Sequence, residues 1–382
     1  MARQPASEYF EERDAVEVIH SPVIAVAGNV APAISLWAIL SGTSIDQGQG
    51  LDPERTTAMK LQRPTPDQVA LGLRAMCSVA RAKGRPLEDA EKAMLAAVQR
   101  FFGTDFDTDA LSDITPDELA EALPDPQIRR QLIDALIVFA LIDGEAEEAE
   151  VIAVDDYARA LGVADKALRN LAQLARHEHV RVRIDVLRRF WAVDKLRERV
   201  QERGLGEVLR FVKANVGRLE DPAMAARFRA WRDLPDGALG REYIRFLDDN
   251  GWALPGERGA LSDIIVFHDM THVLSGYGTD PAGEVETACF SAGYRKKEPF
   301  TFVLFVLLQF HIGIRVAPAA QAETGHFDVE RALTALHRGA AMNLDLTEDW
   351  DYHAVADVPI DELRRRYGIP PLGDPRPAGP AV

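Results

Sequence analysis

Cysteine is nearly missing from this 382-residue chain: there are two, Cys77 and Cys289, and they form no CxxC pair. That excludes a disulfide-stapled scaffold and suits a reducing compartment. Basic residues are also short. Lys and Arg number 44 against 60 Asp and Glu, the formal net charge is -16 and the pI is near 5.1. A general nucleic-acid binder needs a basic face, so that class is excluded. A clean membrane span is missing as well. Residues 21–45 carry no charge, and residues 22–40 are long enough to tempt a bilayer crossing, but Gly28, Asn29, Pro32 and Ser35 interrupt them. The expectation is contact with a membrane surface, or packing on the rest of the protein. The start of the chain carries Glu8, Glu11 and Glu12, too acidic for a signal or transit peptide.

What is present is helix-forming sequence, and the expected class is all-α. Hydrophobic residues make up 47% of a chain long enough for two or three domains. After a polar linker at 41–66, Val69, Leu73, Met76 and Val79 recur at helical spacing. A turn at Gly84 then feeds an acidic helix start ending in Glu91, and the same plan returns around Gly144, ending in Glu150. Each copy leads into another helix, over 90–102 and 148–161, so the pattern predicts two helix–turn–helix units packed as an internal pseudo-repeat. Carboxylates at such starts have an ordinary use, since they favour the positive end of the helix dipole. Residues 104–126 read as a short helix with loops. His177 and His179, two apart, would face different ways and be solvated. Residues 184–217 are strongly helical, with Val186, Leu187, Phe190 and Trp191 as the apolar face, and the domain boundary is placed near 180–200. Residues 299–314 are too short for a bilayer and predict a buried helix. Its Phe300, Phe302, Phe305 and Phe310 suit a core, or the wall of a pocket for a long apolar chain. Arg295, Lys296 and Lys297 just before it read as solvated charges or as a phosphate or anionic-lipid contact. One more amphipathic helix is expected over 327–345. The division is therefore an N-terminal segment (1–66), a first helical domain (67–180), a second helical domain (181–370) and a disordered tail (371–382).

The second domain carries the chemistry. His268-Asp-Met-Thr-His272 lies in a run whose other residues are Ile264, Ile265, Val266, Phe267, Met270, Val273 and Leu274. Ser262 or Asp263 can cap its start, and Gly276 and Gly278 can end it. Apolar nearly all round, it predicts a buried helix. His268 and His272, four apart, share a face, and Asp269 borders it. Such groups are costly to bury unless paired, and a divalent metal is an economical partner. Glu284 follows a turn and can swing back as a fourth ligand, so His268, Asp269, His272 and Glu284 are the candidate metal and catalytic residues. The metal-free alternative is a pair of core histidines satisfied by Asp269 and Glu284. HExxH proteases place Glu after the first His; Asp269 has a shorter reach, so that class fits poorly.

The full pattern, HDxxH followed after eleven residues by Glu, resembles the signature of the Coq-four-type ubiquinone-biosynthesis family. Residues 234–248, and Trp350 with 361–369, resemble the segments that flank the motif there, so the likeness covers about 185–370. It implies a divalent metal, usually zinc, with iron also suited to two His and a carboxylate. It implies action on a prenylated benzoate-derived ring, with oxidative removal of the ring carboxyl, or else a non-enzymatic scaffold for a polyprenyl lipid. The implied partners are a prenylated quinone precursor or polyprenyl lipid, other ubiquinone-biosynthesis proteins and a membrane surface, with a cytoplasmic location peripheral to the inner membrane. Residues 67–178 resemble the TerB-like tellurite-resistance family, whose acidic turns are thought to bind metal. The second copy has Asp143, Glu145, Glu147 and Glu150; the first has Lys83 where Asp is expected. This half is expected to serve docking or homodimerisation.

Overall fold

The computed structural model describes residues 61–373 apart from 216, 317–320 and 349. The uncharged stretch at 21–45 and the tail from 374 onward lie outside the described residues. Among the described residues there are sixteen α-helices, three short 3-10 turns and no strand. The all-α expectation holds.

The first half contains α1 (Pro66–Arg81), α2 (Asp89–Phe102), α3 (Pro116–Ala122), α4 (Pro126–Phe139), α5 (Glu148–Leu161) and α6 (Lys166–Ala175). Thr65 and Gln68 form a reciprocal capping box at the start of α1, with Pro66 at its first position. Val69, Leu73, Met76 and Val79 are all buried, as their spacing predicts. The pseudo-repeat is real: α1–α2 and α4–α5 are the two units. Their third-residue glutamates, Glu91 and Glu150, are both fully buried.

Between those glutamates sits the ammonium of Lys83. Its Nζ is 2.7 Å from Glu91, 3.1 Å from Glu150 and 3.1 Å from Asp143. Glu147 stands at 3.9 Å, and Arg85 pairs with Glu147 from outside. Lys83 and Asp143 hold equivalent places, each just before the turn glycine of its copy. The residue that looked like a missing ligand is thus the cation at the centre of the cluster. Burial is the largest influence on Glu150; it outweighs Lys83 and, helped by Asp143 and Glu91, lifts the pKa to about 8.

The stretch after residue 176 breaks into α7 (His179–Arg188), α8 (Trp191–Arg203) and α9 (Gly206–Asn215). His177 and His179 are exposed, as expected. At the α7–α8 junction the Phe190 ring packs 4.9 Å from Phe305, and the Trp191 ring lies 4.0 Å from Phe267. The remainder is α10 (Pro222–Arg229), α11 (Leu239–Asp249), α12 (Val266–Ser275), α13 (Pro281–Tyr294), α14 (Phe300–Phe310), α15 (Val329–Ala340) and α16 (Ile360–Tyr367). Phe302, Phe305 and Phe310 of α14 are core residues. No helix of the described residues is long and apolar enough to cross a membrane. Arg295 is buried rather than solvated: its guanidinium lies over the Phe302 ring and faces Asp194 at 3.7 Å, while Lys296 and Lys297 remain exposed.

No gap in the core marks residues 180–200. One hydrophobic cluster runs from Val69 to Ile369. Polar contacts tie the halves together as well: His311 Nε2 donates to the Ile142 carbonyl (2.8 Å), and Lys166 pairs with Glu298 (2.6 Å).

The most extensive helix pairing, α13 on α15, depends on two glycines. A Cβ at Gly339 would come within 1.9 Å of the Phe290 carbonyl oxygen, and one at Gly293 within 2.2 Å of the Leu336 carbonyl oxygen. The backbones touch where no side chain fits. Gly339→Ala is therefore expected to force the helices apart and cost about 1–3 kcal/mol or more, read by denaturant unfolding; an unchanged midpoint would show that the helices do not pack this closely. Glu150 makes a second prediction. Its folded pKa of about 8 lies above the ordinary carboxylate value, so the folded state holds a proton that the unfolded chain has released. The stability this confers is full below about pH 4.3 and is lost as pH rises toward 8. Glu150→Gln removes that slope, so the stability difference between variant and wild type should drift steadily in the variant's favour across this window. Parallel pH profiles would refute the assignment.

Candidate metal centre

Helix α12 is placed by its two ends. At the start, the Ser262 hydroxyl accepts from the Ile264 amide (3.4 Å), and the turn Asp263–Ile265 leads into the helix. Asp263 itself is taken by Arg199 (2.9 Å). At the far end the last four carbonyls of any helix lack intrahelical donors. Here every one is met. Gly276, in the left-handed region at φ 82°, donates to the His272 carbonyl at 2.8 Å. Arg364 of α16 donates to Val273 (3.3 Å) and Leu274 (2.9 Å). Arg338 of α15 donates to Ser275 (3.1 Å), with its guanidinium over the Tyr277 ring. Two cations at a helix C-terminus also suit its dipole. Helix α13 starts on Asp280, whose side chain accepts from the Gly283 amide (3.2 Å), and Glu284 falls in its first turn.

These placements bring His268, His272 and Glu284 together, all buried, with ligand atoms within 4.8 Å of one another. The two Nε2 atoms are 3.2 Å apart. Glu284 Oε2 is 3.5 Å from His268 Nε2, and Oε1 is 3.5 Å from His272 Nε2. At 3.5 Å from each imidazole nitrogen, the carboxylate faces both rings at once. Ligands held at about 2.0–2.1 Å around one tetrahedral ion lie about 3.3–3.4 Å from each other. The spacing and the donor set fit a divalent metal, and the group can hold one.

Asp269 is not part of this trio. It is buried, but one helical position past His268 it is turned away by about 100°, and it faces Tyr243 of α11, which works to lower its pKa. Its Oδ1 has no hydrogen-bond partner. Burial pushes its pKa up to about 7, with His272 opposing and Glu284 adding. For Glu284, burial works upward, yet His272 and His268 outweigh it and bring the pKa to about 2. His268 is lowered, chiefly by burial. His272 is raised, because Glu284 and Asp269 outweigh the effect of burial.

The groups that orient His272 were not read from the sequence. Its Nδ1 is 3.1 Å from the Thr287 hydroxyl and 3.3 Å from the Tyr277 carbonyl, and Phe246 stacks on its ring. With Nδ1 protonated and donating to these oxygens, Nε2 is left free to ligate. Thr287 lies one turn after Glu284, which is the signal that was available. The acidic residues of the pseudo-repeat, by contrast, surround Lys83 and have their cation already.

No family model, no curated protein and no solved structure matches the chain. The geometry predicts that Thr287→Val, by removing the oxygen that holds the His272 tautomer, weakens metal affinity by about 10–100-fold. Competition titration with a chromophoric chelator measures this; an unchanged affinity would mean that Thr287 does not orient the ligand.

Proposed function

We propose that the chain is a metal-dependent enzyme of ubiquinone biosynthesis acting on a prenylated benzoate-derived ring. The observation that carries the chemical half of this reading is the set of three buried ligands, two imidazole nitrogens and one carboxylate. Catalytic zinc sites use three protein ligands and keep a position for water or substrate, whereas structural sites close with four. The biosynthetic half rests on the resemblance of the HDxxH-x11-E pattern and its flanking segments to the Coq-four-type family. Zinc is the first choice of metal and iron the second.

The reaction is oxidative decarboxylation: the ring carboxyl leaves as carbon dioxide, a hydroxyl from water takes its place, and two electrons and two protons pass to an external acceptor. When bound, the metal supplies Lewis-acid polarisation of a ring carboxylate or hydroxyl. The chain's residues do the rest. His268, His272 and Glu284 present their ligand atoms from two helices whose ends are fixed. Thr287 and the Tyr277 carbonyl hold the tautomer of His272. Asp269, outside the ligand set and steadied by Tyr243, is the carboxyl at hand for proton transfer. Ile265, Met270 and Leu274 help exclude bulk water. The near-complete burial of all three ligands also suits the second reading, a non-enzymatic polyprenyl-lipid scaffold with a structural metal. In either case the expected setting is a membrane surface beside other ubiquinone-biosynthesis proteins.

The test is elemental analysis of the purified wild type and of His272→Ala, followed by turnover assays with a prenylated hydroxybenzoate and an electron acceptor. One metal per chain, lost in the variant, together with release of carbon dioxide, is the expected result. Metal and substrate binding without turnover would favour the scaffold. A wild type that takes up no metal would end both readings.

A further inference from the structure

A cavity of about 200 Å³ lies between the two halves of the chain. Helices α1, α2 and α4 wall it on one side, and α13, α14 and α15 on the other. It uses a different face of α13 from the metal centre: Glu284 and Thr287 point to α12, whereas Cys289 and Ala292 line the cavity. Val69, Leu73, Met94, Leu132, Val303 and Ala332 form most of its inner wall. Leu61, Pro64 and Gln131 line it from half-buried positions. Apolar cavities of about 150 Å³ already admit benzene, so this one has room for a larger guest.

The polar groups in the wall narrow the choice of guest. No Lys or Arg lines it. Gln131 is tied to the Gln62 backbone at both ends of its amide, and Gln68 belongs to the capping box of α1. His337 packs on Phe101, and burial, then Arg63, lowers its pKa to about 4, so it is neutral. Asp134 is the exception. It is 7% exposed, and its Oδ1 has no hydrogen-bond partner. The nearest cation, Arg130 Nε, is 4.0 Å away, and that guanidinium pairs instead with Asp165. Burial, then Asp165, holds the Asp134 carboxyl well above the ordinary range despite Arg130. A buried polar group left without a partner is costly, and a guest hydroxyl, which can donate or accept, would remove that cost. An anionic headgroup, by contrast, meets no cation in the wall.

We propose that the cavity between the halves is a binding site for an uncharged apolar molecule with one neutral oxygen, of the long-chain alcohol class, with that oxygen bonded to Asp134. This site is separate from the metal centre, and the proposal stands or falls independently of the ubiquinone reading. The experiment uses the full chain and the neutral fluorescent probe N-phenyl-1-naphthylamine, displaced by 1-decanol and by decanoate. The probe is expected to bind, and decanol to displace it at a concentration at least about tenfold below that needed with decanoate. Ala135→Phe and, separately, Val138→Phe fill the cavity from its α4 wall and should abolish probe binding. Metal content should stay at the wild-type level in whichever variant keeps its unfolding midpoint. Asp134→Leu should keep the probe and weaken decanol by about tenfold, the worth of one hydrogen bond. A wild type that does not bind the probe, a folded filling variant that binds it normally, or decanoate matching decanol would each overturn the proposal.

Discussion

Burying His268, His272 and Glu284 away from water is the constraint on which the second half of the molecule depends. Three polar side chains at no more than 2% exposure have lost their hydration and must recover it from neighbours. The structure answers in layers. The first is their mutual spacing, which suits a shared cation. The next is Thr287 and the Tyr277 carbonyl behind His272. Behind these stand Arg338 and Arg364, which fix the end of α12 so that its two imidazoles meet the carboxylate of α13. The Gly293–Gly339 contact then lets α15, which carries Arg338, lie directly on α13. An error of an ångström in that packing would be felt at the ligands.

The first half meets the same problem with a different answer. Glu91, Glu150 and Asp143 are also buried carboxylates, but Lys83 brings a covalently attached cation to them. A tethered ammonium offers one charge and no open position. It can bridge the carboxylates and cannot do metal chemistry there. The same kind of acidic arrangement therefore has a structural outcome in one half, and the metal-binding potential is concentrated in the other.

Much of this could be read in the sequence, and the parts that could not share a physical cause. Helical spacing located α1, the repeated glycine turn and acidic start located α2 and α5, and an unbroken apolar run located α14, because each of these marks is local. The i,i+4 pair of histidines and the turn before Glu284 were legible for the same reason. Asp269 borders the histidine face by sequence, but its direction depends on where Tyr243 of α11 lies, and only the tertiary packing sets that. Lys83 resembled a lost ligand because spacing gives position in a repeat and not the charge of what stands opposite. Arg295 read as solvated because a guanidinium over a ring, facing a distant aspartate, leaves no local mark. Arg364 belongs to a segment quoted only for its likeness, and its hold on α12 bridges some ninety residues of chain. The shared core across residues 180–200 was hidden because its contacts join residues far apart in the chain.

The asymmetry of the pseudo-repeat has a consequence of its own. The first copy brings an ammonium and one carboxylate to the centre, the second brings two carboxylates, so two second copies would gather four carboxylates around no cation. The units are complementary halves rather than interchangeable ones: the second needs the ammonium that the first supplies. The difference between the copies therefore works as an address, giving the second helix pair a charge to close upon that only the first one carries.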